Sequence, residues 1–395
     1  MRLLNQIAAV TSINLKSLPQ RFWLSLSTIA AVALVVTVLL SFLAMASGFQ
    51  KTIRGAGAED VAILLRAASQ AELNSGVSKD QLRLIEEGPG IARGADGQPL
   101  VSGELYLVVD GTKRSTGTKA NLPLRGIGLQ GAALRRGITL VEGRMFEPGS
   151  NELVVGRNLT REFAGFDLGT KVRLRNTEWT VVGIFEAGGS VFESEVWADI
   201  GSVQSFFNRQ NFYQTIRVRL DGPDGLAKLT AYSDQDPRLK LDVKTEQAYF
   251  AEQSTQTSDL IQKLGWPLAI AMAFGALAGA LNTMYSSVAA RTREIATLRA
   301  IGFSGLPAFV GTLVESLVLA GIGGIIGGLV TWVFFDGLTT STLGASFTQV
   351  VFSFTLTPEV AFKGVLLALA VGLVGGLFPA IRAARMPVVA AFGEH

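Results

Sequence analysis

Four stretches of the chain are long, apolar and almost free of charged side chains. They cover residues 22–48, 264–288, 303–335 and 364–381. A helix needs about 20 mainly apolar residues to cross a hydrocarbon core of about 30 Å, so the pattern predicts four transmembrane helices. The first stretch contains an Ala-Met-Ala triplet at 44–46 that is typical of a signal-peptide cleavage site. Signal-peptide apolar regions are only about 7–15 residues long, so the length favours a retained helix.

In the segment between the first two stretches, residues 49–260, apolar and polar residues alternate over shorter distances. Ser78 can cap a helix over 78–87, which Gly88-Pro89-Gly90 would end. Residues 242–263 contain no glycine or proline and predict a helical stalk into the second span. β-rich runs bounded by turn residues lie at 59–65, 105–109, 152–155, 171–174, 180–185 and 215–220. The predicted fold class is therefore an integral membrane α-helical protein with four transmembrane helices and an inserted α+β extracytoplasmic domain.

Basic residues in the short segments outside the spans set the expected orientation. Residues 1–21, 289–302 and 382–395 together hold eight arginine and lysine residues against two glutamates. The positive-inside rule places such segments in the cytoplasm. We therefore expect cytoplasmic termini, with 1–21 at the membrane surface and 382–395 as a tail. The domain at 49–260 and the loop at 336–363 are expected on the other side.

The overall composition agrees with this division. Charged residues make up 17% of the 395 residues, against about 25% in a typical soluble protein. Of the 67 charged residues, 53 lie between positions 49 and 263. The net charge is only +3 and no basic run stands out, so nucleic-acid binding has little support.

No catalytic or metal-binding constellation can be recognised in the chain. There is no cysteine, and the one histidine is His395, which excludes thiolate chemistry, histidine-based triads and most zinc sites. The carboxylates are scattered, and Glu193, Glu195 and Asp199 are equally well interpreted as surface residues. The 395 residues contain no GxxxxGK[ST] phosphate loop. We therefore expect no catalytic residue, metal or cofactor, and no enzyme activity in this chain.

Two features within the spans concern packing and function. Glycine pairs at GxxxG spacing, which let helix backbones approach closely in lipid, occur at 275/279, 323/327, 324/328 and 372/376. Glu315 is the ionisable residue within the third span. Such a residue is a functional candidate by default, and pairing within the helix bundle is the alternative. Both interpretations remain open at this point.

The segment after the second span has the most specific pattern in the chain. Residues 289–302 predict a short cytoplasmic helix with Ile295 and Leu298 on one face and Ile301 close to it, ended by Gly302. A small apolar anchor with a basic rim is typical of a helix that docks in a groove of a partner. The predicted coupling residues are Arg291, Arg293, Glu294, Ile295, Leu298, Arg299, Ile301 and Gly302. A plain topology-setting loop is the alternative, but it does not require apolar residues at helical spacing.

This R-x-R-E-I-x-x-L-R-A-I-G segment resembles the signature of the MacB/FtsX-type (type VII) ABC transporter permeases. Weaker similarities to that family lie at 141–146, 151–155, 168–170 and 179–184 in the domain, and at Glu315 with 321–328 and 375–387 in the later spans. Together they cover nearly the whole chain. One departure is Met386, where the family commonly has an acidic residue before the last proline.

The resemblance implies a permease subunit of the bacterial inner membrane, with a periplasmic domain like that of MacB. A separate ATPase subunit would drive conformational work of that domain, called mechanotransmission, in export or efflux. Implied partners are a second permease, identical or homologous, the bilayer, and in an efflux assembly a membrane-fusion adaptor and an outer-membrane channel. Two alternatives share the same plan: an FtsX-like regulator of an extracytoplasmic partner such as a cell-wall hydrolase, and a lipoprotein-release permease.

Overall fold

The computed structural model describes residues 2–344 and 348–387. The chain divides into two compact units, here called the helical unit and the sheet unit. The helical unit comprises residues 1–47, 260–338 and 354–395, and the sheet unit comprises residues 48–259 and 339–353.

The α-helices of the described residues differ widely in length, from 6 to 45 residues. Their bounds are α1 Arg2–Lys16, α2 Phe22–Arg54, α3 Lys79–Glu86, α4 Leu129–Leu134, α5 Arg157–Glu162, α6 Ile200–Phe206, α7 Gly225–Gln235, α8 Glu246–Ala290, α9 Thr292–Ala300, α10 Gly305–Phe334 and α11 Pro358–Arg385.

The strands lie between α2 and α8 and again between α10 and α11. Their bounds are β1 Val61–Arg66, β2 Val77–Ser78, β3 Val101–Lys113, β4 Lys119–Ile127, β5 Thr139–Gly143, β6 Glu152–Gly156, β7 Phe163–Ala164, β8 Lys171–Leu174, β9 Thr177–Glu186, β10 Val196–Asp199, β11 Phe212–Tyr213, β12 Thr215–Arg219, β13 Leu241–Thr245, β14 Thr339–Leu343 and β15 Gln349–Ser353.

Four helices of the described chain, α2, α8, α10 and α11, are long and apolar enough to cross a membrane. The predicted fold class, four membrane helices with an inserted domain of mixed strands and helices, is confirmed. The protein is a multi-pass membrane protein. Its second long helix begins in the sheet unit, at Glu246, and its fourth begins at Pro358, just after Thr357, whose side chain accepts from the backbone N–H of Val360.

Small residues bring the spans of the helical unit together, as the glycine spacing predicted. A methyl group built on Gly323 would lie 2.9 Å from Cβ of Val32 in α2. One built on Gly372 in α11 would lie 2.5 Å from Cβ of Ala320 in α10. Such contacts leave no space for a side chain, so these positions accept glycine alone at this helix separation. For Gly275 and Gly279 in α8, no neighbour among the described residues lies within 4 Å of the corresponding position.

The first helix, α1, packs along α10 through a mixed apolar and polar face. A methyl group on Gly311 would lie 3.2 Å from Cγ1 of Val10 and 2.9 Å from Nδ2 of Asn14. Val10 and Asn14 are buried, whereas Leu4 is 71% exposed. The helix is therefore part of the helical unit, and its location at a membrane surface stays a prediction.

The sheet unit is built on one mixed sheet. Its strands run in the order β13-β1-β12-β3-β4-β10-β6-β9-β5, with β7 beside β3 and β8 beside β9. The pairs β4–β10 and β6–β9 are parallel. Apolar residues of the central strands fill two cores, one near β1 and β12 and one near β4, β6 and β9. Every strand run predicted from the sequence overlaps a strand, and the predicted helix at 78–87 is α3 with its Ser78 cap.

The structure corrects one prediction about the end of the domain and adds a hairpin to it. Residues 242–245 are not the start of a helical stalk, because they pair with β1 as part of β13. Within the predicted extracytoplasmic loop at 336–363, β14 and β15 form an antiparallel hairpin that the sequence analysis did not predict. Val351 of that hairpin is buried in the second apolar core, and its backbone N–H donates to Ser194 Oγ at 3.0 Å.

Candidate functional site

The predicted coupling segment forms a short helix, α9, that directly follows α8. The chain turns at Arg291, whose φ of −102° and ψ of 10° leave the α-helical region. The helix ends at Gly302, which has a φ of +99°, a conformation that side chains with a Cβ avoid. The backbone N–H groups of Gly302 and Phe303 donate to the carbonyls of Arg299 and Leu298. These bonds satisfy the last turn of α9 and fix where the helix stops.

The two faces of α9 differ from the sequence-based expectation. Ile295 was expected on a face presented to a partner, but it is buried with Val288, Ala308, Ala383 and Met386. Leu298 is half-buried. A short amphipathic helix beside a bundle gains most by burying its apolar stripe in that bundle, which is the physical reason for the difference. The exposed residues of the segment are Arg293, Glu294, Thr297, Ala300, Ile301 and Gly302.

A buried ion pair joins the start of α9 to the third span. Arg291 Nη1 donates to Glu315 Oε2 at 3.0 Å, and both side chains are nearly inaccessible. Ser287 Oγ donates to Glu315 Oε1 at 3.1 Å. The other terminal nitrogen of Arg291 donates to the Asn14 carbonyl at 3.1 Å and to Ser17 Oγ. Arg291 therefore connects three helices, α1, α9 and α10, and Glu315 has its partner within the bundle.

Arg299 makes a second connection at the far end of α9. Its Nη1 donates to the carbonyl of Ala384 at 3.3 Å and to that of Met386. The Met386 side chain is buried against Ile295 in the same apolar cluster. An acidic side chain at this position could not fill that apolar place, so the departure from the family pattern at Met386 matches the packing seen here. The α9 helix is thus fixed at both ends to the helical unit.

The N-terminal end of α8 lies in a cluster of buried charged side chains within the sheet unit. The cluster contains three arginines and four glutamates, Arg125, Arg135, Arg217, Glu72, Glu104, Glu195 and Glu246. Glu246 is the first residue of α8. It accepts from Arg217 Nη1 through one oxygen and from the Ala58 backbone N–H, at 3.3 Å, through the other. We call these seven residues the buried charge cluster.

Glu104 and the three guanidinium groups form the centre of the buried charge cluster. Arg135 donates to both oxygens of Glu104, at 2.8 and 2.6 Å. Arg217 Nε and Arg125 Nη1 donate to Glu104 Oε2 at 3.1 and 3.0 Å. Charge-assisted bonds of this kind are about twice as strong as neutral ones. They hold strands β3, β4 and β12 together through their side chains as well as through the backbone.

The remaining members extend the cluster towards β10. Arg125 donates from Nε and Nη2 to the two oxygens of Glu195, at 2.8 and 2.7 Å. Trp197 Nε1 also donates to Glu195, at 2.7 Å. The interpretation of Glu193, Glu195 and Asp199 as surface residues does not hold, because all three are buried. Glu193 accepts from the backbone N–H groups of Ala187 and Gly189, and Asp199 from that of Ser202.

Sequence reasoning missed the cluster for an identifiable reason. Arg217 lies between Ile216 and Val218, which face an apolar core, so strand alternation places it on the opposite face. That alternation was a usable signal. To predict the cluster, however, one also needs to know that β12 pairs with β3 and brings Glu104 opposite Thr215. Periodicity alone does not show which strands pair.

The charges of the buried charge cluster shift the pKa values of its acids. Burial by itself raises the pKa of Glu104, but attraction to Arg135 and Arg217 outweighs it and lowers the pKa from 4.5 to about 2. Burial likewise opposes ionisation of Glu195, and Arg125 reverses the effect, so its pKa is also lowered. Both carboxylates are ionised in the folded protein at neutral pH.

These shifts predict acid lability of the sheet unit. A carboxyl whose pKa is lower in the folded than in the unfolded state contributes stability that is fully present above the unfolded value. For Glu104 that contribution should be lost as the pH falls from about 4.5 towards about 2. Hydrogen exchange of peptides from residues 48–259, measured by mass spectrometry at a series of pH values, would report it after correction for intrinsic exchange. Protection that stays constant between pH 5 and pH 3 would contradict the prediction. The surface variant Glu178→Gln is the control and should follow the wild-type profile.

Similarity to known proteins agrees with this architecture. The profile of the MacB-like periplasmic core domain matches residues 25–234, and that of the FtsX-like permease C-terminal domain matches residues 267–388. The macrolide export ATP-binding/permease protein MacB of Hyphomonas neptunium is 29% identical over 248 residues, covering 58% of this chain and 35% of that protein. The chain therefore spans about a third of that relative.

Two further proteins are similar over different extents. The lipoprotein-releasing system transmembrane protein LolC of Neisseria meningitidis is 24% identical over 401 residues, covering 92% of each protein. The crystal structure of the periplasmic region of MacB from Actinobacillus actinomycetemcomitans is 14% identical over 51% of this chain and 94% of that one, with a TM-score of 0.38. The first domain profile alone covers more than half of this sequence, and the chain therefore belongs to the MacB/FtsX-type family of ABC transporter permeases.

Proposed function

We propose that this chain is the permease subunit of an ATP-driven complex in the bacterial inner membrane, and that α9 is the docking element for a separate ATPase subunit. The observation that carries the proposal is the division of α9 into two faces. One face is fixed to the helical unit by Ile295, Arg291 and Arg299, and the other presents Arg293, Glu294 and Ile301. Family membership supports it.

Ile301 is the proposed apolar anchor of the docking face. Its side chain is 69% exposed at the end of α9, next to the glycine that ends the helix. An exposed apolar residue at a helix end, beside charged residues, suits insertion into a groove of a partner. The charged neighbours Arg293 and Glu294 would then set orientation more than affinity.

The firm attachment of α9 supplies the proposed route of coupling. Closure of the ATPase would move α9, and the Arg291–Glu315 pair and the Ile295 cluster would carry α8, α10 and α11 with it. The α8 helix is continuous from Ala290 back to Glu246, whose carboxylate is bonded in the buried charge cluster. In this proposal ATP hydrolysis changes the conformation of a periplasmic domain, and both termini are cytoplasmic.

The complex is proposed to contain two permeases, identical or homologous. Among residues 2–344 and 348–387, none lies within 4 Å of a methyl group built on Gly275 or Gly279 in α8, and small residues at this spacing suit close packing against a second helix. Export or efflux is the proposed role, with a membrane-fusion adaptor and an outer-membrane channel as further partners. Lipoprotein release is a second candidate, favoured by the match to LolC over 92% of both proteins.

Ile301→Asp tests the docking proposal. We expect the affinity of the purified permease for its ATPase subunit to fall by roughly tenfold or more, because a carboxylate would have to be desolvated in an apolar groove. The ATPase would be identified by mass spectrometry after purification of the tagged permease from its native membranes, and binding would be measured with the two purified subunits. The stability of the permease should not change, since Ile301 is exposed.

Leu129→Asp is the matched control for the docking test. Leu129 is also an exposed apolar residue, at 50%, but it lies in the sheet unit. This variant should bind the ATPase as the wild type does. Equal binding of the Ile301→Asp variant would remove α9 as the docking element, and the failure of any ATPase to bind the wild type would remove the permease proposal. A lipoprotein that copurifies with the complex would favour lipoprotein release over efflux.

A further inference from the structure

A groove with three arginines lies where α8 and α11 end. Its sides include Tyr285 from α8, Arg293 from α9, and Phe378, Arg382 and Arg385 from α11. The guanidinium of Arg382 lies over the Tyr285 ring, 5.6 Å from its centre. We call these five residues the basic groove.

The arginines of the basic groove differ from the other arginines of this segment. Arg291 and Arg299 are engaged by a carboxylate or by backbone carbonyls. Arg293, Arg382 and Arg385 are exposed, and within residues 2–344 and 348–387 none of them forms an ion pair. Three positive charges therefore converge on one open groove without an acidic partner in that part of the chain.

The groove continues into an apolar surface. The α8 and α11 helices are in close contact one to two turns earlier, where a methyl group on Gly375 would lie 3.0 Å from Cβ of Ala280. On the membrane side of the arginines, Phe378 is 55% exposed and Val374 is 42% exposed. The basic groove thus lies at the ends of two membrane-spanning helices, with apolar side chains on one side and arginines on the other.

This arrangement matches the chemistry of a phospholipid at the membrane interface. Arginine binds phosphate through two parallel hydrogen bonds, and tyrosine side chains favour the headgroup region. Basic pockets between the ends of transmembrane helices suit anionic headgroups. A second copy of this chain would bring like charges together, and an acidic protein surface would not need the exposed apolar side chains beside the arginines.

We propose that the basic groove binds the headgroup of an anionic phospholipid, with its acyl chains along the exposed face of α11. The proposal rests on the membrane-spanning assignment of the helices and not on ATPase docking. The lipid would hold the end of α11 beside the α8–α9 junction, so that the anionic lipid content of the membrane would affect the permease directly.

Native mass spectrometry of the full-length protein in neutral detergent tests this. Phosphatidylglycerol and phosphatidylcholine with the same acyl chains would be titrated separately, with inorganic phosphate as a third ligand. We expect a preference for phosphatidylglycerol that the double variant Arg382→Gln/Arg385→Gln weakens by about 30-fold, since each basic residue near an anionic headgroup contributes about fivefold. The control Lys16→Gln/Arg173→Gln removes two other exposed charges and should keep the preference.

A third variant guards against misfolding. Arg382→Lys/Arg385→Lys retains the charge and should keep most of the preference, and raising the salt concentration should weaken binding to the wild type. The proposal would be overturned if the wild type showed no headgroup preference or if the glutamine variant kept it. Inorganic phosphate that displaces the lipid at equal concentration would indicate a free-anion site instead. Loss of the ATPase from the glutamine variant with unchanged lipid preference would assign these arginines to a protein contact and likewise overturn the lipid site.

Discussion

Replacement of Arg217 by methionine is expected to lower the free energy of unfolding of the sheet unit by about 3–5 kcal/mol. Arg217 bonds to Glu72, Glu104 and Glu246 with none of its side chain exposed. Without it, the buried charge cluster would hold two arginines against four glutamates, and water could not reach the unpaired carboxylates. A loss of this size is a large fraction of the 5–15 kcal/mol that stabilises a typical domain.

Hydrogen exchange of peptides from residues 48–259 measures this loss in the intact protein, because the slowest amides report the global unfolding free energy. Arg173→Met is the matched control. Arg173 is exposed on β8, so the same change of side chain should stay within about 0.5 kcal/mol of the wild type. Similar protection of the Arg217→Met variant and the wild type would show that the buried charge cluster contributes little to stability.

The second large effect is expected at the junction of α8 and α9. Arg291→Met should lower the free energy of unfolding of the helical unit by about 3–5 kcal/mol, because the buried Glu315 carboxylate would lose its ion-pair partner and keep the hydrogen bond from Ser287. Glu315→Leu should cost a similar amount, since it would leave the Arg291 guanidinium without a counter-charge. Each variant would be unfolded in mixed micelles with increasing denaturing detergent.

The double variant Arg291→Met/Glu315→Leu separates the pair from its two members. Removing both charges avoids an unpaired ion, so the double variant should be less destabilised than the sum of the two single variants, by at least about 1 kcal/mol. Arg293→Met is the matched control on the exposed face of α9, with an expected change within about 0.5 kcal/mol. Strict additivity in the double variant would show that the two side chains do not interact energetically.

The same pair gives a functional test of the coupling route. If the Arg291–Glu315 pair carries motion from α9 to the spans, Arg291→Met should still bind the ATPase through Ile301 but should no longer change its rate of ATP hydrolysis. Loss of binding together with coupling would instead place Arg291 in the docking face or indicate that α9 is displaced. The buried position of Arg291 argues against direct contact with a partner.

The helix contacts in the helical unit show what a local sequence pattern can predict and what it cannot. GxxxG spacing predicted close helix contacts, and Gly323 and Gly372 make them within this chain. The same spacing at Gly275 and Gly279 makes no such contact with the part of the chain that the structure describes. Spacing reports that a helix can be approached closely, but the identity of the approaching helix depends on the arrangement of the bundle.

The sequence by itself determined the four spans, the mixed character of the domain and the position of α9. These follow from apolar length, strand alternation and helix-ending residues, which are properties of short segments. Tertiary structure decided which face of α9 is buried, that Glu195 is an interior residue, and that residues 339–353 belong to the sheet unit. Each of these depends on a partner far away along the chain. A carboxylate or an isoleucine becomes interior only when another segment supplies the counter-charge or the apolar surface, and no local pattern records which segment that is.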